Sequence, residues 1–131
     1  MASELATWDV PGQSSEGRKA SCRPVDLVHL SRHTLGEREL EREVLELFCS
    51  QSLLYIERLR EAKSDKDWKD AAHSLKGSAQ AIGAWRAGDA AERAEALSGD
   101  ALAEFRAVRL SEIESSVREA ETYIDGLLSD R

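Results

Sequence analysis

The sequence is short of aromatics, prolines and cysteines, and it has no long apolar run. Aromatic residues make up 5% of the chain, so any core must be built from aliphatic side chains and alanine. Proline occurs only as Pro11 and Pro24, so no ring constraint breaks a helix beyond that point. Two cysteines, Cys22 and Cys49, do not make a disulfide scaffold, and their spacing matches no metal motif. The stretch "MASELATWDV" carries Glu4 early and no apolar core, so no signal peptide is expected. No segment approaches the ~20 consecutive apolar residues of a membrane span. Together these absences lead to the expectation of a cytoplasmic protein without a membrane partner. Positive charge is in deficit too, with 18 Lys+Arg against 25 Asp+Glu and a net charge of −7. Broad binding to nucleic acid is thereby excluded, because it needs a basic surface.

What is abundant is Ala, Leu, Glu and Arg, the residues that favour helices. A chain of 131 residues is the size of one domain. Residues 1–23 differ from the rest: "PGQSSEGRKASCRP" is polar, rich in Ser and Gly, and without periodicity. They are expected to form a mobile tail, with residues 24–131 forming the folded domain. Within the tail, Trp8 and Val10 are the residues able to dock on the body or on a partner.

From Pro24 onward the pattern is helical, with no internal repeat and no strand-like alternation. Asp26 can cap a short helix, "DLVHLSR", which Gly36 interrupts. A long helix is expected from Glu37 to Lys63. Leu40, Val44, Leu47, Phe48, Tyr55 and Leu59 lie on one broad face of it, widened by Leu45, Leu53 and Ile56. Ser64, with Asp67 three residues on, resembles a capping box at the start of a third helix, Asp65 to Ala84. Gly83 suits the end of that helix. A fourth helix, Trp85 to Ser98, turns Ala87, Ala90, Ala91, Ala94 and Leu97 inward, and "SGD" stops it. The last helix carries Ile113, Val117, Ala120, Ile124 and Leu127, a spacing that fits an antiparallel bundle.

The third helix holds the chemistry. Trp68, Ala72, Leu75, Ala79 and Ile82 form its buried stripe. At about 100° per residue, His73 points roughly 140° from the centre of that stripe, toward water. Lys66, Lys69, Lys76, Gly77 and Gln80 fall on the same outward side. An imidazole in a local basic strip suits attack on a phosphoryl group, because its neutral nitrogen needs no auxiliary base. Lys76, one turn away, can meet phosphoryl oxygens as a point charge. A glycine in mid-helix costs about 1 kcal/mol relative to alanine. At Gly77 that cost has a reason, since side chains lean over the preceding turn and any side chain there would crowd the His73 ring.

At these residues the sequence resembles the histidine-containing phosphotransfer (HPt) family. "AAHSLKGSAQAIGA" matches the family's A-H-x-L-K-G-S run with a glycine ten residues after the histidine. The helix "ELEREVLELFCSQSLLYIERLREA" resembles the one that packs before the family's active helix. The similarity runs from about residue 25 to the C-terminus. The resemblance implies an all-α fold, an up-down antiparallel four-helix bundle with a short additional N-terminal helix. It implies phosphorylation of His73 through Nε2, with Lys76 and Gly77 at the motif positions that assist the phosphoryl group and admit the partner. Gln80, on the same face, is placed to hydrogen-bond the site or the partner. The family often places a Glu or Gln 22 residues after the histidine to orient the ring, and Glu95 holds that position. There is one departure: Ala87, Ala90 and Ala94 stand where leucine is common, so the fourth helix must pack closer or lean on Trp85.

The implied role is that of a phosphocarrier in a multistep two-component relay. A receiver-domain aspartate or a hybrid kinase would donate to His73, and a second response-regulator receiver would accept. The docking surface is expected around Leu30, Leu35 and Leu40, with Lys69 on its rim, on a monomeric chain. No glycine-rich phosphate loop or kinase signature is present, so ATP-dependent self-phosphorylation is not expected. No cofactor is assigned, and any Mg²⁺ belongs to the receiver's acidic pocket. His29 and His33, with Asp26 and Glu37, superficially suggest a metal site, but Gly36 and the short helix weaken it, and no metal is assigned. The competing function is a non-catalytic adaptor that binds and inhibits a receiver or kinase.

Overall fold

The computed structural model describes residues 23–129. The expected tail, residues 1–23, lies outside the described residues except for Arg23. Five helices follow in order: α1 Leu27–Thr34, α2 Arg38–Glu61, α3 Asp65–Ala81, α4 Trp85–Glu95 and α5 Gly99–Ser129. Among the described residues there is no strand, and no helix is long and apolar enough to cross a membrane.

The caps expected from the sequence are in place. Asp26 accepts a hydrogen bond from the His29 amide at 3.1 Å and starts α1. Ser64 accepts one from the Asp67 amide at 3.1 Å and starts α3. The "SGD" segment behaves differently from expectation. Ser98 ends the connection, and Gly99 and Asp100 already belong to α5, whose first amide is satisfied by the Asp65 carboxylate at 2.9 Å. α4 consequently stops at Glu95.

α2 to α5 close into a ring, each packed on its neighbours, with α1 laid against α2. Their connections are too short to allow anything but antiparallel neighbours. Side chains confirm the direction. Arg42, near the start of α2, reaches the Leu128 carbonyl near the end of α5, while Arg106, early in α5, caps the end of α2. Trp68 meets Ala94 across α3 and α4, and Arg86 pairs with Glu119 across α4 and α5.

The inward stripes of α3 and α5 are the expected ones. Trp68, Ala72, Leu75, Ala79 and Ile82 are buried, as are Ile113, Val117, Ala120 and Ile124, while Leu127 is half-buried against them. Each large side chain so buried contributes about 1.5–3 kcal/mol. α2 departs from expectation. Its buried stripe is Glu41, Leu45, Phe48, Ser52, Ile56 and Leu59. Leu40 and Leu53 are exposed, and Leu47 is 53% exposed. The reason is that two inward positions are polar but satisfied. Glu41 accepts from the Thr34 hydroxyl at 3.2 Å, and the Ser52 hydroxyl donates to the Cys49 carbonyl at 3.1 Å. Cys49 is half-buried beside them, and burial together with nearby Glu121 and Asp125 pushes its thiol up to about 11.

A tight junction fixes α1. The Asp26 amide donates to the Gly83 carbonyl at 2.9 Å, and the Trp85 indole donates to the Asp26 carboxylate at 3.0 Å. Burial would raise the Asp26 carboxyl, but the Trp85 and His29 hydrogen bonds outweigh it and hold the group below its ordinary value. The His29 ring packs edge-on against His33 and Trp85, with centroids 4.6 and 4.8 Å away. Asp26 thus spends its oxygens on the junction. Among the described residues no three His, Cys, Asp or Glu side chains gather as a metal site.

Candidate functional site

α3 carries His73 on its outward face, where the side chain is 67% exposed. The helix gives the ring a rigid base, because the opposite face is anchored by Ala72 and Leu75 in the core. Glu95, in the last turn of α4, reaches across. Its Oε2 lies 2.8 Å from His73 Nδ1, and its Oε1 lies 2.9 Å from Lys76 Nζ. One carboxylate therefore holds the imidazole and the ammonium, one on each oxygen.

The close approach of α4 makes that reach possible. Its inward face is Ala87, Gly88, Ala90, Ala91 and Ala94, all buried. An added Cβ at Gly88 would stand 3.3 Å from Gln80 Cγ and 3.8 Å from Ala79 Cβ. Alanine and Gly88 thus line the contact of α4 with α3, and at Gly88 even a methyl group would press on Gln80.

The electrostatics follow from the geometry. Burial by itself would raise the Glu95 carboxyl, but the hydrogen bonds with Lys76 and His73 outweigh it and hold the group below its ordinary value. Glu95 is therefore an anion near neutral pH and can only accept hydrogen bonds. The Nδ1 beside it must carry the proton. A neutral ring then has its lone pair on Nε2, which leaves that nitrogen able to act as a nucleophile.

Gly77 stands one turn beyond His73, and an added Cβ there meets no atom within 4 Å. Nothing among the described residues requires this glycine. Gln80 is exposed one turn further on, its stem lying over Gly88, and Lys69 is exposed on the preceding turn. Leu35 is 91% exposed and holds a left-handed backbone with φ 55° at the end of α1. Leu40 is exposed as well.

Leu30 requires a correction. It was expected at the docking surface, but it is 1% exposed and belongs to the core. The Asp26 junction pulls α1 down so that Val25, Leu30 and Thr34 turn inward. Sequence reasoning also assigned Lys76 to the open basic strip, whereas its side chain is only 23% exposed and folds onto Glu95. Gly88 and the Trp68 indole, which donates to the Ala94 carbonyl at 2.7 Å, escaped notice. The run of small residues around Gly88 was the available signal.

The Hpt domain model matches residues 43–129 of the sequence. The chain belongs to the Hpt domain family. Among solved structures it is similar to the histidine phosphotransferase ShpA from Caulobacter crescentus, with a TM-score of 0.62 and 27% sequence identity. That likeness covers 82% of this chain and 92% of ShpA. Comparison with curated proteins returns no match. Hpt proteins are phosphocarriers, and their partners are the receivers and kinases of phosphorelays. Phosphotransfer within such a relay is thus the general activity of the chain.

Proposed function

We propose that His73 accepts a phosphoryl group from the aspartate of a receiver domain, free or within a hybrid kinase, and passes it to the aspartate of a second receiver. The observation that carries this reading is the exposed His73 ring with Nδ1 tied to Glu95. The Nε2 lone pair attacks the phosphorus of the aspartyl phosphate. The bond from phosphorus to the aspartate oxygen breaks, and the carboxylate leaves with the electron pair. The ring becomes a phosphoimidazolium whose Nδ1–H remains on Glu95, so the carboxylate offsets the charge that develops. Attack on that phosphorus by a second receiver's carboxylate returns the neutral ring.

Lys76 supports the same scheme by holding the second oxygen of Glu95, which keeps the carboxylate in one orientation. Leu35 and Leu40 offer apolar contacts for the receiver. Leu35 does so from a left-handed backbone that costs leucine about 1 kcal/mol, the kind of strain found where a residue serves an interaction.

The test is to incubate the chain with a phosphorylated receiver and measure acid-labile, base-stable label. Wild type should take the label and His73→Gln should take none, with its helical circular dichroism unchanged. Label persisting on His73→Gln would overturn the assignment. A wild-type chain left unlabelled by an active cognate relay would support the adaptor instead.

A further inference from the structure

Glu95 can orient His73 only if the end of α4 is itself held. The inward face of α4 is built of alanine and Gly88, all buried, and offers no side-chain hydrogen bond of its own. One directional bond reaches the backbone of that turn from a fully buried side chain. The indole N–H of Trp68, on α3, donates to the Ala94 carbonyl at 2.7 Å, short for a bond of this type. Ala94 lies in the last turn of α4, and its carbonyl accepts from the Leu97 amide at 3.1 Å as well as from the indole. The residue bonded to it in the chain is Glu95.

Trp68 is in turn held from its far side. It is fully buried, and the Arg106 guanidinium lies 5.2 Å from its ring centroid. The same guanidinium donates to the carbonyls of Leu59 at 2.8 Å, Arg60 at 3.1 Å and Ala62 at 2.8 Å, closing the end of α2. A continuous path of contacts therefore runs from the end of α2, through Arg106 and Trp68, to the Ala94 carbonyl and Glu95.

We infer that Trp68 is a positioning residue: its indole N–H fixes the last turn of α4 so that Glu95 stays on His73 Nδ1 and Nε2 stays unprotonated. The consequence for phosphotransfer rests on the role proposed for His73. The consequence for the imidazole does not, and that separates the two in the experiment.

The variant is Trp68→Phe, which keeps an aromatic ring and removes the donor. Nitrogen-15 NMR of the His73 imidazole reports which nitrogen carries the proton. Wild type should show Nδ1–H. Trp68→Phe should show a mixture of both tautomers, moved toward the spectrum of a Glu95→Ala reference. Phosphoryl transfer should slow by about tenfold, the scale of a small misplacement at a reacting centre. Should Trp68→Phe fail to fold, β-(3-benzothienyl)alanine at this position keeps the full bicyclic bulk without the N–H. A tautomer signature identical to wild type in a folded variant would overturn the inference, even if the melting temperature fell. A shifted tautomer in Trp68→Phe, together with a wild type that takes no phosphoryl group, would uphold the positioning role and reject the relay reading.

Discussion

An added Cβ at Gly77 meets no atom within 4 Å, whereas one at Gly83 would lie 2.7 Å from Asp26 Cβ and 3.0 Å from the Asp26 carbonyl oxygen. The two glycines belong to one short run, "HSLKGSAQAIG", and to two different regions. Gly83 sits in the closed junction that ties α1 to the α3–α4 turn, with φ at +76° and its carbonyl bonded to the Asp26 amide. Gly77 sits on the open face beside His73. The junction binds Asp26 through its amide and its carboxylate, while the face leaves an imidazole and a bare backbone turned to solvent. A glycine required by the fold and the glycine proposed to admit a partner thus leave different traces. The first has neighbours that a methyl group would strike, and the second has none.

The sharpest way to break this comparison is Gly83→Ala. The left-handed backbone costs alanine about 1–2 kcal/mol. The methyl group would also push Asp26 away, weakening its bonds to Gly83 and Trp85, each worth about 1 kcal/mol. Urea unfolding should show a loss of about 3 kcal/mol, at the upper end of ordinary substitutions. A loss below about 1 kcal/mol would mean that the junction yields easily and is not the anchor of α1.

Gly77→Leu should do the reverse. Leucine in place of glycine in an exposed helix gains about 0.7 kcal/mol, so the variant should unfold at higher urea than wild type. Phosphoryl transfer with a receiver should fall at least about tenfold, because the side chain leans over the preceding turn and the His73 ring. Undiminished transfer in the stabilised variant would remove the steric account of Gly77.

How much of this was legible in the sequence differs by helix. The stripes on α3 and α5 are unbroken apolar letters at helical spacing, and both proved correct. The stripe on α2 includes Glu41 and Ser52, which bury because neighbouring groups satisfy them. A pattern of apolar letters cannot register that, and it selected Leu47 instead. On α1, the choice of which leucine turns inward depends on a bond to Gly83, far along the chain. The site was legible in its parts, since the histidine motif and the spacing to Glu95 both lie in the sequence. The sharing of Glu95 with Lys76 was not, because a long flexible lysine can meet any anion within reach. Nor were Gly88 and Trp68, whose parts depend on the distance between two helices at single residues.

The smallest effect expected is also the most specific to the open face, the pH dependence of Glu95. Its carboxyl is held below the ordinary value of 4.5 in the folded chain, through Lys76 and His73. A group whose folded value is depressed contributes stability that is fully present above the unfolded value and is lost as pH falls through the folded one. Protonated Glu95 is close in shape and charge to glutamine. Glu95→Gln should therefore be less stable than wild type near pH 6, where the carboxylate pairs with its partners. The gap in unfolding free energy should close as pH falls below 4.5. The same pair of proteins made with Lys76→Ala should show a smaller gap throughout, because one of the two partners that depress Glu95 is gone. A gap that stays constant from pH 6 to below 4.5 would mean that the charge on Glu95 does not hold the network. The imidazole would then owe its orientation to the packing of α3 against α4.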